Sequence, residues 1–253
     1  EGPYISPDNG PRGAHPLEHV RTPNLEEFSR WQDAAGGKIR LVTLAPELPG
    51  SLPFIEALTK AGIVVAIGHT AATGSQIHEA VQAGAKLSTH LGNGSHAVLP
   101  RHENYLWEQL AADDLWASFI PDGHHLPATI IKTIVRTKGV GRSIITCDAS
   151  SLAGLPPGKY GEWGTELEVL PGGKVVVPNT PFLAGSGLFT DACIGQVLRS
   201  VNVSLADAVQ MASANPRELL GFPAWNLTVG AKTKLVLFDW SPGNEFVVKE
   251  IVD

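Results

Sequence analysis

IVVAIGHTAATGSQIHEAVQAGAKLSTHLGN, residues 63–93, decides the fold. A β-branched apolar run (63–67) stops at Gly68-His69-Thr70, a stretch with helical spacing (74–83) stops at Ala83-Gly84, and a second short run (86–89) stops at His90. Gly84 falls where a helix C-terminus takes up the left-handed conformation. Apolar runs this short, with no polar alternation, suit strands buried on both faces. Strand, helix and strand in about thirty residues make a βαβ unit, which places the two strands parallel in one sheet.

The same alternation extends in both directions. Further strands are expected at 39–45, 116–120 and 143–146, and helices at 25–35, 52–61, 105–113 and 128–138. Ala61-Gly62 repeats the helix-stop signal. Five strands are in view and a sixth would end just before Glu1, whereas a closed (β/α)8 barrel needs eight. The chain starts at Glu1 without Met, so it reads as an N-terminally truncated fragment of a barrel lacking roughly two βα units upstream.

Residues 156–181 break the rhythm. Gly and Pro are dense there, and 166–170 and 174–177 flank Pro171-Gly172-Gly173, which predicts an inserted β-hairpin. Helices resume at 189–201 and 204–214, the second with Ser204 as N-cap and Asp207 three residues on. Asn215-Pro216 should end that helix, with a short one running on to Leu220. Strands at 234–239 and 246–252, joined by Ser241-Pro242-Gly243-Asn244, read as part of a small β-domain. The expected organisation is a barrel over 1–225, carrying the 156–181 insertion, and β-domain strands over 226–253.

Composition narrows the function. Of 253 residues, 43% are hydrophobic and 17% charged, enough for a sizeable core and too few charges for a disordered chain. Nineteen Lys and Arg against twenty-five Asp and Glu give a net charge of −6, with no extended basic tract, which argues against nucleic-acid or anionic-membrane partners. No apolar run is long enough to span a bilayer. Cys147 and Cys193 are too few for a disulfide framework and have no zinc-ribbon spacing. A reduced, cytoplasmic enzyme is the simplest expectation.

Each expected strand runs into polar residues. Gly68-His69-Thr70 follows one, His90-Leu91-Gly92-Asn93 the next, then Pro121-Asp122-Gly123-His124-His125 and Cys147-Asp148-Ala149. In a barrel the C-terminal strand ends converge on the face where active sites are built. Two His at neighbouring strand ends, with carboxylates at others, are the ingredients of a metal hydrolase. A single strand-end His is more often a hydrogen-bonded structural residue; the whole set in register argues for chemistry. Cys147, beside Asp148, should point to the opposite face by strand alternation and serve as buried packing. His19, His78, His96, His102 and His124 read as loop or surface residues, and Trp163 as an aromatic clamp or a platform for a sugar face.

Glu1-Gly2-Pro3-Tyr4, Gly13-Ala14-His15, Val42-Thr43-Leu44-Ala45-Pro46-Glu47, Ile67-Gly68-His69-Thr70 and Thr89-His90-Leu91-Gly92-Asn93 form an ordered series. Asp122-Gly123-His124-His125, Asp148-Ala149 and Leu183-Ala184-Gly185-Ser186 continue it over nearly the whole chain. The series resembles the N-acetylglucosamine-6-phosphate deacetylase family of the amidohydrolase superfamily. The resemblance implies an α/β fold, a partial metal-dependent-hydrolase (β/α)8 TIM barrel with part of a small β-sandwich domain at the C-terminus. It also implies hydrolysis of the N-acetyl amide of an amino sugar, N-acetylglucosamine 6-phosphate above all, to the amine and acetate.

Carried over position by position, Glu1, His69 and His90 would hold one divalent metal, zinc or iron. A second ion stays open, because in some relatives an HxH pair on the first strand holds one and that segment lies outside this sequence. Asp148 would act as general base and then general acid. Ala14, His15, Asn93, Gly94, His125, Leu183, Ala184 and Gly185 would contact substrate. Arg101 would reach the phosphate from a neighbouring subunit, which implies a homodimer. This chain has Asn93-Gly94-Ser95 where the family has Asn-Ala-Met, and Glu103 stands two positions from Arg101. An Arg101–Glu103 surface ion pair is the competing reading. An unphosphorylated N-acyl sugar or N-acyl amino acid stays open as substrate, and so does an inactive sugar-binding scaffold.

Overall fold

The computed structural model describes residues 1–162, 164–224, 228–230, 234–243 and 245–252. Trp163, the expected 225/226 domain boundary and Asn244 of the last turn lie outside the described residues. The chain forms two compact units, Glu1–Ser118 and Phe119–Asp253.

The first unit begins with α1 (Leu25–Ala34), β1 (Leu41–Leu44), α2 (Ser51–Lys60), β2 (Val64–Ile67), α3 (Gly74–Ala83), β3 (Leu87–Ser88) and α4 (Tyr105–Ala111). β4 (Trp116–Phe119) runs over the unit boundary. β1–β2, β2–β3 and β3–β4 pair in parallel, as the 63–93 stretch predicts. Leu44 pairs with Ile67 and Ile67 with Ser88, so three strands finish level. His69 and His90 each stand two residues beyond these partners, and the register alone therefore brings them to one edge. Gly62 and Gly84, at φ 75° and 115°, take the left-handed conformation expected after their helices.

Leu44, Val65, Ala66 and Ile67 are fully buried, and the helices lay Phe54, Ile55, Leu58 and Ile77 against them. Full burial of side chains this size contributes roughly 1.5–3 kcal/mol each. Tyr4 joins this core, packed edge-on against Phe54 at 5.3 Å and stacked on Trp31 at 5.5 Å. Its carbonyl accepts from Ala45 N, and Ser6 N donates to His69 O, both at 2.9 Å. The opening segment is thereby stitched to the ends of β1 and β2.

Strands are shorter than expected where side chains capture the backbone. Gln32 takes both backbone groups of Ile39, Oε1 accepting from its N–H at 2.9 Å and Nε2 donating to its carbonyl at 3.0 Å, so β1 cannot start there. His90 N–H turns to Ser118 Oγ at 2.8 Å, which ends β3.

The second unit holds α5 (Ala128–Lys138) and β5 (Ser143–Ile145), the last strand in the sheet order β1-β2-β3-β4-β5. Where a hairpin was expected, an antiparallel sheet of four strands forms: β6 (Gly158–Glu162), β7 (Thr165–Val169), β8 (Lys174–Val176) and β9 (Leu183–Ser186). The expected pair is its centre. β6 and β9 escape a pattern reading because Gly-Lys-Tyr-Gly-Glu and Leu-Ala-Gly-Ser carry no alternating apolar residues. α6 (Thr190–Ser200), α7 (Leu205–Ala212) and α8 (Ala214–Leu219) follow, α7 opening with the Ser204/Asp207 capping box. α7 ends at Ala212, before the expected Asn215-Pro216 stop, and the expected short helix to Leu220 forms as α8, with both residues inside it. Pro216 sits in the first turn, where a missing N–H costs nothing. Asn215 is buried and donates to Val140 O and Ser143 O, each at 2.7 Å, tying α8 to the start of β5. β10 (Leu235–Asp239) and β11 (Val247–Val252) form an antiparallel ribbon. Cys147 is half-buried, not fully packed, and its Sγ accepts from the Thr190 hydroxyl at 3.6 Å.

Candidate active site

Among the described residues, non-glycine positions with positive φ are His69 at 50°, His90 at 27°, Asp148 at 52° and Asn179 at 63°. This left-handed conformation is uncommon for residues with a Cβ, and such strain concentrates at functional sites. Three of the four are strand-end residues singled out by the sequence pattern.

In the first unit, His69, His90 and Glu1 converge. His90 Nε2 lies 2.8 Å from Glu1 Oε1, His69 Nε2 lies 3.2 Å from Glu1 Oε2, and the two Nε2 atoms are 3.0 Å apart. Both imidazoles are buried, and the Glu1 side chain is only 23% exposed. His69 Nδ1 lies 2.7 Å from the Pro11 carbonyl, which can only accept, so Nδ1 carries the proton and Nε2 presents a lone pair. Burial pushes the His69 pKa down and so favours the neutral ring, outweighing the pull of the neighbouring Glu1 carboxylate. Burial would raise the Glu1 carboxyl, yet the imidazoles of His90, His15 and His69 gathered around it hold it well below the usual carboxylate range.

A carboxylate oxygen and an imidazole lone pair therefore face each other across 3.2 Å with no proton between them. A divalent cation relieves that repulsion, and carboxylate with neutral imidazole is a donor set suited to zinc or iron. The ligand atoms all lie within 4.8 Å of one another. The residues fit a metal ion.

His15, expected to contact substrate, comes to the same cluster. Its Nε2 is 3.4 Å from Glu1 Oε2, and its ring stands edge-on to His69 at 4.8 Å. Ala14 beside it is half-buried. A Cβ at Gly13 or Gly94 would meet the His69 ring at 3.3 and 2.8 Å, so both backbones press against that ligand. Asn93 Nδ2 donates to the His90 carbonyl at 3.3 Å. Arg101 is exposed, and among the described residues it pairs with no acid, so the Arg101–Glu103 ion pair does not form. His78 is exposed, as expected for a surface residue. Glu47 orders the loop after His69 by accepting from the Thr70 hydroxyl at 2.5 Å and from Ala71 N at 2.6 Å.

In the second unit, Asp148 is half-buried and its carbonyl accepts from Ser186 N at 2.8 Å. Gly185 (φ 66°) lies so close that a Cβ there would meet the Asp148 carbonyl oxygen at 2.8 Å. Leu183 and Gly185 are half-buried and Ala184 is buried, all on β9. His125 Nδ1 donates to Asp122 Oδ2 at 2.8 Å, and the Ser186 hydroxyl donates to the same oxygen at 2.9 Å. Burial would raise the Asp122 carboxyl, but the hydrogen bonds it accepts from His125 and His124 hold it well below the carboxylate range. His124 Nε2 lies 2.9 Å from the Gly172 carbonyl, a structural contact. The sequence motifs include Glu47 and the strand-end carboxylate Asp122 without giving either a role, and the Pro11 carbonyl carries no residue-type signal.

No protein-family model matches the chain. Individual relatives do. It is 32% identical over 240 residues to the N-acetylglucosamine-6-phosphate deacetylase of Lysinibacillus sphaericus, covering 94% of this chain and 61% of the relative. It is 34% identical to the N-acetylgalactosamine-6-phosphate deacetylase of Escherichia coli O157:H7, covering 94% and 63%. The crystal structure of N-acetyl-D-glucosamine-6-phosphate deacetylase from Mycobacterium smegmatis superposes with a TM-score of 0.90 at 32% identity, covering 100% of this chain and 66% of that one.

The chain belongs to the N-acetylglucosamine-6-phosphate deacetylase family.

The resemblance read from the motifs is thus borne out, and so is the fold class: five strands of a deacetylase (β/α)8 barrel together with β-domain strands. The chain spans less than two thirds of the length of the deacetylases it matches.

Proposed function

We propose that the protein hydrolyses the acetamide of an N-acetylated amino sugar 6-phosphate, N-acetylglucosamine 6-phosphate first, giving glucosamine 6-phosphate and acetate. One observation carries this reading. Glu1, His69 and His90 bring their ligand atoms within 4.8 Å of one another, the two His at the ends of adjacent parallel strands, with the His69 tautomer set by Pro11. When bound there, a divalent cation such as zinc or iron lowers the pKa of water and polarises the amide carbonyl.

Asp148 is assigned as general base and acid. Its carboxylate takes a proton from the attacking water, the carbonyl carbon becomes tetrahedral, and the same carboxyl returns the proton to nitrogen as the C–N bond breaks. His15, at the edge of the Glu1–His69 pair, orients the acetamide, while Ala14, Asn93, Gly94, His125 and the Leu183-Ala184-Gly185 strand hold the sugar phosphate. Exposed Arg101 supplies a planar pair of donors to the phosphate of a neighbouring subunit, in a cytoplasmic homodimer. An aspartate-to-alanine mutant of the M. smegmatis enzyme in complex with N-acetyl-D-glucosamine-6-phosphate has the same fold, at TM-score 0.89. Because the E. coli O157:H7 relative is named for the galactosamine epimer, both epimers belong in the assay.

Purified protein supplied with zinc or ferrous iron should release acetate from the 6-phosphate and much less from the unphosphorylated sugar; equal rates would remove the phosphate site. Asp148→Asn should lower kcat by about 10²–10⁴-fold while metal stays bound. Unchanged turnover would strip Asp148 of its role. Metal analysis of the purified protein separates an enzyme from a sugar-binding scaffold, since a scaffold needs no ion.

A further inference from the structure

Asp122 lies in the loop after β4, and its side chain is 1% exposed. Four donors reach it: His124 N at 2.8 Å and His125 N at 2.9 Å on Oδ1, His125 Nδ1 at 2.8 Å and Ser186 Oγ at 2.9 Å on Oδ2. A carboxylate offers about four acceptor sites, and here all are filled. Such a group has no lone pair left to take a proton from water or substrate, which rules it out as a base. What it does is fix its partners. Ser186 is held at both ends, its hydroxyl on Asp122 and its N–H on the Asp148 carbonyl at 2.8 Å, while its own carbonyl accepts from Ser150 N at 3.0 Å. One buried carboxylate thus links the His125 loop, β9 and the turn that carries Asp148.

The consequence for His125 is chemical. An Asp122 oxygen can only accept, so Nδ1 keeps the proton and Nε2 presents a lone pair. We infer that Asp122 is a positioning residue that holds His125 in the Nδ1–H tautomer, so that His125 Nε2 accepts a hydrogen bond from a donor on the substrate, a sugar hydroxyl in chemical class. This inference rests on the deacetylase reading for the identity of the substrate, but the state of the ring is independent of turnover.

The test is ¹⁵N NMR of histidine-labelled protein at about pH 8.5, above the ordinary imidazole pKa of about 6.5, with the His125 signals assigned by their loss in His125→Gln. Wild-type His125 should show the Nδ1–H pattern. Asp122→Asn, which turns an amide N–H toward Nδ1, should reverse it to Nε2–H and lower kcat/KM about a hundredfold. Ser186→Ala should leave the ring pattern intact and cost about tenfold. A wild-type Nε2–H or imidazolium pattern at that pH overturns the inference, as does an Asp122→Asn spectrum identical to wild type. If Asp122→Asn fails to fold, the wild-type and Ser186→Ala spectra decide. A reversed ring in Asp122→Asn, in a protein that never releases acetate, supports the positioning role and sinks only the deacetylase reading.

Discussion

His69, His90 and Asp148 sit at positive φ because each follows a buried strand and must turn its side chain away from the sheet within two or three residues. Their neighbours give way to permit it. Gly185 is such a neighbour, with φ 66° and the Asp148 carbonyl 2.8 Å from where its Cβ would lie. Gly185→Ala should therefore cost about 1–3 kcal/mol, read as a lower urea midpoint with an unchanged slope; wild-type stability would count against a forced close approach. Asp122 sets the acid limb of stability. Its folded pKa is depressed, so its contribution is complete above the unfolded carboxylate pKa of about 3.9 and is lost as pH falls below it. Wild-type protein should lose stability between about pH 5 and 3 more steeply than Asp122→Asn, read from urea midpoints across that range. The His, Glu and Asp of the site were legible as motifs, since metal and proton chemistry demands those residue types. The Pro11 carbonyl and the filled lone pairs of Asp122 were not, because a backbone acceptor or a hydrogen-bond count has no residue-type signature.

Helix α3 follows β2 and the His69 turn, and it is closed by a capping box in which the Thr73 side chain accepts from Gln76 N and the Gln76 side chain accepts from Thr73 N. Thr73→Ala should destabilise by about 1 kcal/mol and lower the urea midpoint, with metal content unchanged if the cap serves only the helix. Helices were the easier elements to read: periodicity and Gly stops located α3 and α5 to the residue. Strand ends were harder. Gln32 capturing Ile39 and Ser118 capturing His90 are contacts across 7 and 28 positions that no local pattern encodes. The four-stranded insertion shows the same limit, because β6 and β9 pair through backbone groups that every sequence possesses.

If Glu1, His69 and His90 hold a cation in the folded state alone, metal at about a hundred times its Kd adds about 2.7 kcal/mol of stability. Chelation should lower the Tm and added zinc should restore it, whereas a melt indifferent to both would argue that the cluster holds no ion. By itself the sequence determined the strand–helix alternation, the parallel sheet, the strand-end histidines and the family, because periodicity and residue type act locally and survive without coordinates. The family resemblance already grouped Glu1 with His69 and His90, 68 and 89 positions away along the chain, but tertiary structure alone decided the distances at which they meet and that Pro11 and Asp122 choose ring tautomers. Those are statements about distance and proton placement, and they come into being only when the register of parallel strands brings remote lone pairs within 3 Å or so of each other.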